Sequence, residues 1–488
     1  MKGKCMMMAG ILAVTAGTAL AQSWAPLTHP PAFNASTAVL LTDGTAMVQQ
    51  LNSGQFWRLT PDIHGSYTAG TWSAMPSLPG GYSPQLYAGA VLADGRVIIE
   101  GGKLNGGVLA QTTQGALYDW TTNTWSLTSP PATWGHIGDA MGAVLADGRW
   151  LLGNCGNATP CSNGFQQALL DPASFLWSST GAGSNLDPTA RESFTLMPNG
   201  KVLDVLIAST GFPPPGGSEV YNPATGTWAP AGSTSAVLPN ACSETGPVLA
   251  LPISGNMLAL GGTGASSYYN PSSGAWTAGP SLPAGLGMTR GPAAVLPNGK
   301  VLLMASPISP CFSAGSSFYE LDPSTNTIAV VAPVPRASLD SSSQGRMLVL
   351  PTGQVLFTDG WSDIEIYTPA AGFAFFLQPT LSSYPTNITH AASWYSFLGT
   401  QFNGHTQGAA YGAGAQMASN YPIIRITNNA TGHVFYGRTH DHSTMGIQTG
   451  GVQVSTLFDP NPATETGPSM LEVIANGIPS ATVAVTIW

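Results

Sequence analysis

Seven times along the chain a glycine closes a short turn that precedes or splits an apolar run: Gly44, Gly95, Gly148, Gly200, Gly255, Gly299 and Gly353. A recurrence at this near-constant spacing means one supersecondary unit copied many times, each copy burying its apolar face against the next. The second unit reads AVLADGRVIIEGG and then ALYDWTTNTW; the sixth reads AAVLPNGKVLLMA and then FYELDPSTNTI. Asp-Gly and Asn-Gly between β-branched runs predict a tight hairpin, of type I′ if both central residues take positive φ. A third strand then ends in Asn-Pro or Asp-Pro, at Asn222-Pro223, Asn270-Pro271, Asp171-Pro172 and Asp322-Pro323. Proline presets φ for a second turn and cannot donate to a central ladder. Shortly after comes Trp72, Trp125, Trp177, Trp228 or Trp276, with Ile328 in the sixth unit. Two hairpins per unit make four strands, one blade of a propeller.

The tryptophan series has an earlier member, Trp24, close to one repeat length before Trp72 and ahead of the first turn glycine. The offset predicts ring closure, with Ser23–Leu27 as the outer strand of the blade whose inner strands run from Met347 to Tyr367. Phe373–Phe376 is the local competitor for that place. The expected fold is all-β: a seven-bladed propeller over 22–379, then a second domain over 380–488. In that domain WYSFLG, IIRIT, HVFYGR, MLEVIA and ATVAVTIW alternate with turns in the manner of an immunoglobulin-like sandwich.

The segment 1–21 carries Lys2 and Lys4, an apolar run and Ala19-Leu20-Ala21, the pattern of a secretory signal cleaved before Gln22. A secreted protein, extracellular or periplasmic, is therefore expected, with no membrane span after cleavage. Loss of the two lysines takes the formal charge from −9 to −11. Nucleic acid is excluded as a partner by this acidic balance. Charged residues make up 8% of the chain against about 25% in ordinary soluble proteins. An even set of four cysteines survives, Cys155, Cys161, Cys242 and Cys311, which permits three disulfide pairings. The tight NCGNATPC loop favours Cys155–Cys161, leaving Cys242–Cys311; buried free thiols are the alternative.

The Asp-Gly hairpin, the Gly101-Gly102 and Gly261-Gly262 pairs after it, and the Tyr…Trp pairs resemble kelch repeats. A kelch ring with a C-terminal sandwich resembles the galactose oxidase and glyoxal oxidase architecture. GHIGDA (135–140), YNPATGTW (221–228), GRMLVLPTGQVLFTDG (345–360), GTQFNG (399–404), NNATGHVFYGRTHDHSTMG (428–446) and ANGIPS (475–480) resemble a group of exported bacterial kelch proteins. The oxidase resemblance implies copper held by two Tyr and two His, one His entering the channel on a hairpin of the C-terminal domain. His440 stands where that residue would be. The other ligands have no counterpart: no Tyr-His pair occurs, Ser341–Ser343 occupy its place, and Tyr87 is one position from the linked Tyr.

In a propeller the loop entering each innermost strand opens on one rim of the channel. His136, Asp139, Arg191, Glu192, Glu244, Arg290, Asp340 and Arg346 all lie a short way ahead of a turn glycine, so scarce charges collect at one mouth. They form a ligand site, or else they tie neighbouring blades together by pairing buried backbone and side-chain groups. Glu192 and Glu244 are the acid/base candidates and His136 the proton carrier. His440 and His442 alternate on an expected strand and are the metal candidates. No cofactor is expected, and copper or another metal enters only as the alternative. Recognition of an extracellular glycan or protein by a monomer is the leading reading. A carbohydrate-active hydrolase or oxidase, and a structural part of an envelope assembly, are the others.

Overall fold

A computed structural model describes residues 22–155, 165–180, 194–205, 217–390, 394–411 and 417–488. The signal-like segment, Arg191, Glu192, and Cys161 with any Cys155–Cys161 bridge, lie outside the described residues.

The chain is all-β. Each glycine-marked unit is a four-stranded antiparallel meander; the first comprises Ala35–Leu40, Ala46–Gln50, Phe56–Thr60 and Thr71–Ala74. Six such sheets are separate, and a further four-strand run, from Pro292–Val295 to Thr327–Val331, belongs to a seven-stranded sheet. The seven turn glycines have φ between +70° and +87°. Their Asp and Asn neighbours do not, so the turn is not type I′. In the first unit Leu41 N donates to Thr45 O and Gly44 N to Leu41 O, a three-residue loop ending in a left-handed glycine. Asp43 instead accepts from Thr45 N at 3.0 Å, and Asp94, Asp147, Asn199 and Asn298 do the same for the residue after their glycine. The acidic or amide residue is there as an acceptor, and only glycine supplies the positive φ.

Each outer-strand tryptophan faces the same place on the third strand: Trp125 opposite Tyr118, Trp228 opposite Tyr221, Trp276 opposite Tyr269, and Ile328 opposite Leu321. Trp24 completes the series opposite Tyr367, because Ser23–Pro26 pairs antiparallel with Glu365–Thr368. Phe375–Leu377 forms a 3-10 turn instead. The indoles reach across sheets: Trp24 Nε1 donates to Ala332 O, Trp177 Nε1 to Ser129 O and Trp276 Nε1 to Ala231 O, each on the sheet before. Their role is to join sheet to sheet.

Inner strands adjoin one another around a ring, with strands of the C-terminal part lying between the first and second and between the fifth and sixth, giving a β-propeller whose channel is filled. A hairpin of the C-terminal part, Gly408–Tyr411 with Met417–Ala418, enters it and pairs with Pro292–Val295. Ala409 and Ala410 lie opposite Ala294 and Ala293, since only slim side chains fit there. The rest of 380–488 forms one continuous sheet of strands. Their order is Thr380–Ser383, Tyr395–Thr400, Gln453–Asp459, Val434–His440, Ile423–Asn428, Gly467–Ala475, Val483–Ile487 and Asn387–Ile388. It wraps a core that includes Phe397, Ile424, Phe458, Leu471 and Val485. Five of these strands match the expected apolar segments, while the more polar Gln453–Asp459 does not stand out in the sequence.

This domain covers the glycine-turn face. Thr439 N donates to Thr42 O, Arg438 Nη2 to Asp94 O, Met445 N to Ala146 O and Gln448 Nε2 to Leu251 O, one turn after another. The face where inner strands begin is opposite.

Trp24→Ala removes ring contacts with Phe318, Phe357 and Tyr367 and is expected to cost about 3 kcal/mol; a lowered urea midpoint checks it. Glu100 gives a pH test. Its carboxyl is buried between sheets with Oε2 unpartnered, and burial pushes it up to about 8 against the pull of Thr128. The unfolded chain ionises this group near 4.5, so stability is lost as pH rises between those values. Glu100→Gln should melt close to wild type at pH 4 and clearly above it at pH 9.

Candidate functional site

Three of the expected mouth residues converge. Asp139, Glu244 and Arg290 come from the loops entering the third, fifth and sixth inner strands, and all are buried. Arg290 Nε donates to Glu244 Oε2 at 2.6 Å and Nη2 to Glu244 Oε1 at 3.1 Å. Nη1 and Nη2 reach Asp139 Oδ1 and Oδ2 at 3.2 and 3.1 Å, and Lys103 Nζ joins Asp139 at 2.6 Å. Burial raises the Asp139 carboxyl, but Arg290 and Lys103 overcome this and hold it below its ordinary value. Burial lowers the Arg290 guanidinium, and the two carboxylates outweigh it, so the arginine titrates above its ordinary value. All four carboxylate oxygens accept from a cation. A planar five-donor fork is the one side chain able to serve two carboxylates at once. Asp139 and Arg290 also hold φ of +51° and +53°, a strained conformation that this pairing maintains. The group therefore ties three sheets around the mouth. The Cys242–Cys311 disulfide, close to Glu244 in the chain, links the fifth inner-strand loop to the sixth sheet.

The other expected residues go elsewhere. His136 is half-buried and offers its carbonyl to Asn154 Nδ2. His440 is not on the channel hairpin. It ends Val434–His440 on the glycine-turn face, with Nδ1 on Asp441 Oδ2 at 2.8 Å and Nε2 on Asp459 Oδ1 at 3.2 Å. Asp441, at φ +49°, breaks the strand, so His440 and His442 do not alternate on one face. His442 is buried, accepts or donates with Thr456 Oγ1, and stacks on Tyr421; burial lowers it to about 3. The channel hairpin is GAAY…MA, upstream of IIRIT. Its signal in the sequence is a Gly/Ala-rich stretch with no Asp, Glu, Lys, Arg or His, whereas a histidine was the expected mark.

The copper donor set does not fit. Tyr87 is buried beside Tyr411 of the hairpin, Thr37 and Arg346, a guanidinium where an imidazole would be needed. Arg346 Cζ lies 3.8 Å over the Tyr411 ring. Among the described residues no three His, Cys, Asp or Glu side chains converge on a metal position.

A second group lies on the same mouth between the last, first and second sheets. A cleft of about 360 Å³ is bounded by Asn34, Thr37, Gln85, Arg346, Asp359 and Trp361. Arg346 Nη1 donates to Ser343 O and Gly345 O, leaving Nε buried and unpartnered. Asp359 follows the strand Val355–Thr358. Burial raises its carboxyl to about 7, helped by the nearby carboxyls of Asp340 and Asp363. Glu365, behind it, is pushed to about 8 by burial and the same carboxylates, against the pull of Arg336. Trp361 Nε1 donates to Asp340 Oδ1 at 3.3 Å. Only Asp340 and Arg346 of this group belong to the inner-strand loops. Asp359 and Trp361 sit between second and third strands, where the glycine ruler does not point, and FTDGWSD is their sequence signal.

Arg290→Met leaves Asp139 and Glu244 buried without their shared partner and should cost roughly 3–5 kcal/mol. Adding Asp139→Asn and Glu244→Gln should restore most of it, measured by urea unfolding. No family profile and no curated protein matches the chain. Among solved structures it is similar to YCF48 bound to D1 peptide, at 14% identity and TM-score 0.45, over 71% of this chain and 97% of that one. It is also similar to the extracellular domain of the putative hybrid two-component system BT3049 from B. thetaiotaomicron, at 10% identity and TM-score 0.43. That match covers 83% of this chain and spans half the length of the other.

Proposed function

We propose that the chain is an exported recognition protein, a seven-bladed ring of the kelch type with an immunoglobulin-like C-terminal domain, which binds an extracellular glycan or protein through its open mouth. The observation that carries this reading is the pairing of a plugged channel with a polar cleft beside it. The strands Gly408–Tyr411 and Met417–Ala418 fill the axis, and the C-terminal domain covers one face, so among the described residues the cleft of Arg346, Asp359 and Trp361 is a concave site of mixed polarity on the other. Seven meanders with Trp24 in register support the blade count. A disulfide fits an oxidising compartment, and no helix among the described residues is long and apolar enough to cross a membrane. The charge cluster at Arg290 is spent on structure, and the copper donors do not assemble, so binding is favoured over an oxidase.

The test is retention of the purified protein on glycan and peptide arrays, with Trp361→Ala and Asn34→Ala as variants. Each is expected to weaken retention at least tenfold with an unchanged melting temperature. Retention unaffected by both, or peroxide release with sugars or aldehydes, would overturn the reading.

A further inference from the structure

Asp359 on the cleft wall, and the carboxyls of Asp340 and Glu365 near it, receive no hydrogen bond from a cationic side chain among the described residues. Asp340 and Asp359 are each 1% exposed and Glu365 is 3% exposed; the Asp340 and Asp359 carboxyls meet side chain to side chain, and Asp340 Oδ2, Asp359 Oδ2 and Glu365 Oε2 accept from no N–H or hydroxyl donor among the described residues. The charged groups facing Asp359 are few. Asp340 and Arg336 come from the loop ahead of the last inner strand, Asp363 and Glu365 from its own loop and the following strand, and Arg346 from that inner strand. The first sheet adds only neutral Asn34, Ser36 and Thr37. Four carboxyls thus meet two guanidiniums. Arg336 stands 3.9 Å from Asp363 and 4.1 Å over the Trp361 ring, while Arg346 is turned onto Tyr411. Neither donates a hydrogen bond to Asp359.

Buried carboxylates in this state either hold a proton or take a cation. The surroundings of the cleft distinguish which cation. Trp361 on the cleft wall is 41% exposed, Leu339, next to Asp340 in the chain, is 62% exposed, and Leu109, paired in register with Leu104 of the cleft wall, is 71% exposed. A polar cleft rimmed by apolar side chains is the anatomy of a protein-binding hot spot, where the rim excludes water from a central charged contact.

Resting on the recognition reading above, we propose that the partner is a protein that inserts a lysine side chain into this cleft, its ammonium on Asp359 and its flanking apolar residues on the rim. The four-carbon stem passes the indole of Trp361, and the ammonium donates to Asp359 Oδ2, with cation–π attraction to the ring. The cation stabilises the ionised form of Asp359, so its entry near pH 7 expels the proton that burial and the neighbouring carboxyls favour on that side chain.

The probe is Nα-acetyl-lysine methylamide, titrated into the full chain while the Trp361 indole N–H signal is followed by NMR, with Trp361→Phe to assign it. The expected result is saturable binding, at least tenfold weaker for the Nε-acetylated probe and for D-glucosamine. In weakly buffered solution at pH 7, protons should be released on binding, and Asp359→Asn should abolish both binding and release. Equal binding of the acetylated probe, tighter binding of glucosamine, or no response of Trp361 to the lysine probe would overturn the inference. If an array ligand without an amine still binds in a Trp361-dependent way, the recognition reading survives that loss. If nothing binds at Trp361, both fall.

Discussion

The pairing of Ser23–Pro26 with Glu365–Thr368 is the contact on which the remaining architecture depends. Without it the last sheet has three strands, its outer edge lies open, and Phe318, Phe357 and Tyr367 lose the Trp24 ring that covers them. An exposed edge strand is a template for pairing with another chain. With the two ends sharing one sheet, the outer edge is the four-residue strand Ser23–Pro26, of the short kind that propellers leave. Because the closing strand is contributed by the beginning of the chain, the sheets between are held at a fixed circumference. That circumference sets the distance between the loops entering the inner strands, and so lets Arg290 span Asp139 and Glu244.

The mouth then divides into two electrostatic regimes. Around Arg290 every carboxylate oxygen has a cationic donor, and the group is rigid and costly to open. Around Asp359 the carboxyls outnumber the cations, and burial drives Asp359 and Glu365 toward the protonated state. The first arrangement is what a structural tie looks like when two acids share one guanidinium. The second is poised to respond to an incoming charge, and its Asp359 lines a cleft.

Periodicity made the fold legible because each copy repeats the same burial problem: a glycine for one turn, a proline for the other, an indole to join neighbouring sheets. Even Trp24 could be placed by counting. Turn type could not, since Asp-Gly serves both a I′ turn and a glycine-ended three-residue loop, and only φ separates them. At the mouth, spacing put Asp139, Glu244 and Arg290 on one rim but could not say that they pair with one another. Asp359 and Trp361 escaped because they lie past the second strand. His440 was misplaced because a histidine was sought in the channel, where the entering strand carries glycine, alanine and Tyr411 instead.

The channel hairpin has a consequence for the order in which the molecule is made. Synthesis proceeds from the first residue, yet Ser23–Pro26 has no partner until Glu365–Thr368 exists, and the segment 408–418 emerges later still. If the ring closed first, the hairpin would have to push into a packed axis. Its main-chain bonds to Pro292–Val295 instead let it dock on the sixth sheet while the ring is open, as a mandrel around which the two ends meet. Contacts as far apart in sequence as Thr358 with Ser36 and Tyr421 with Leu40 make such assembly slow, and although single sheets are local in sequence, nearly the whole chain must be present before the ring is complete.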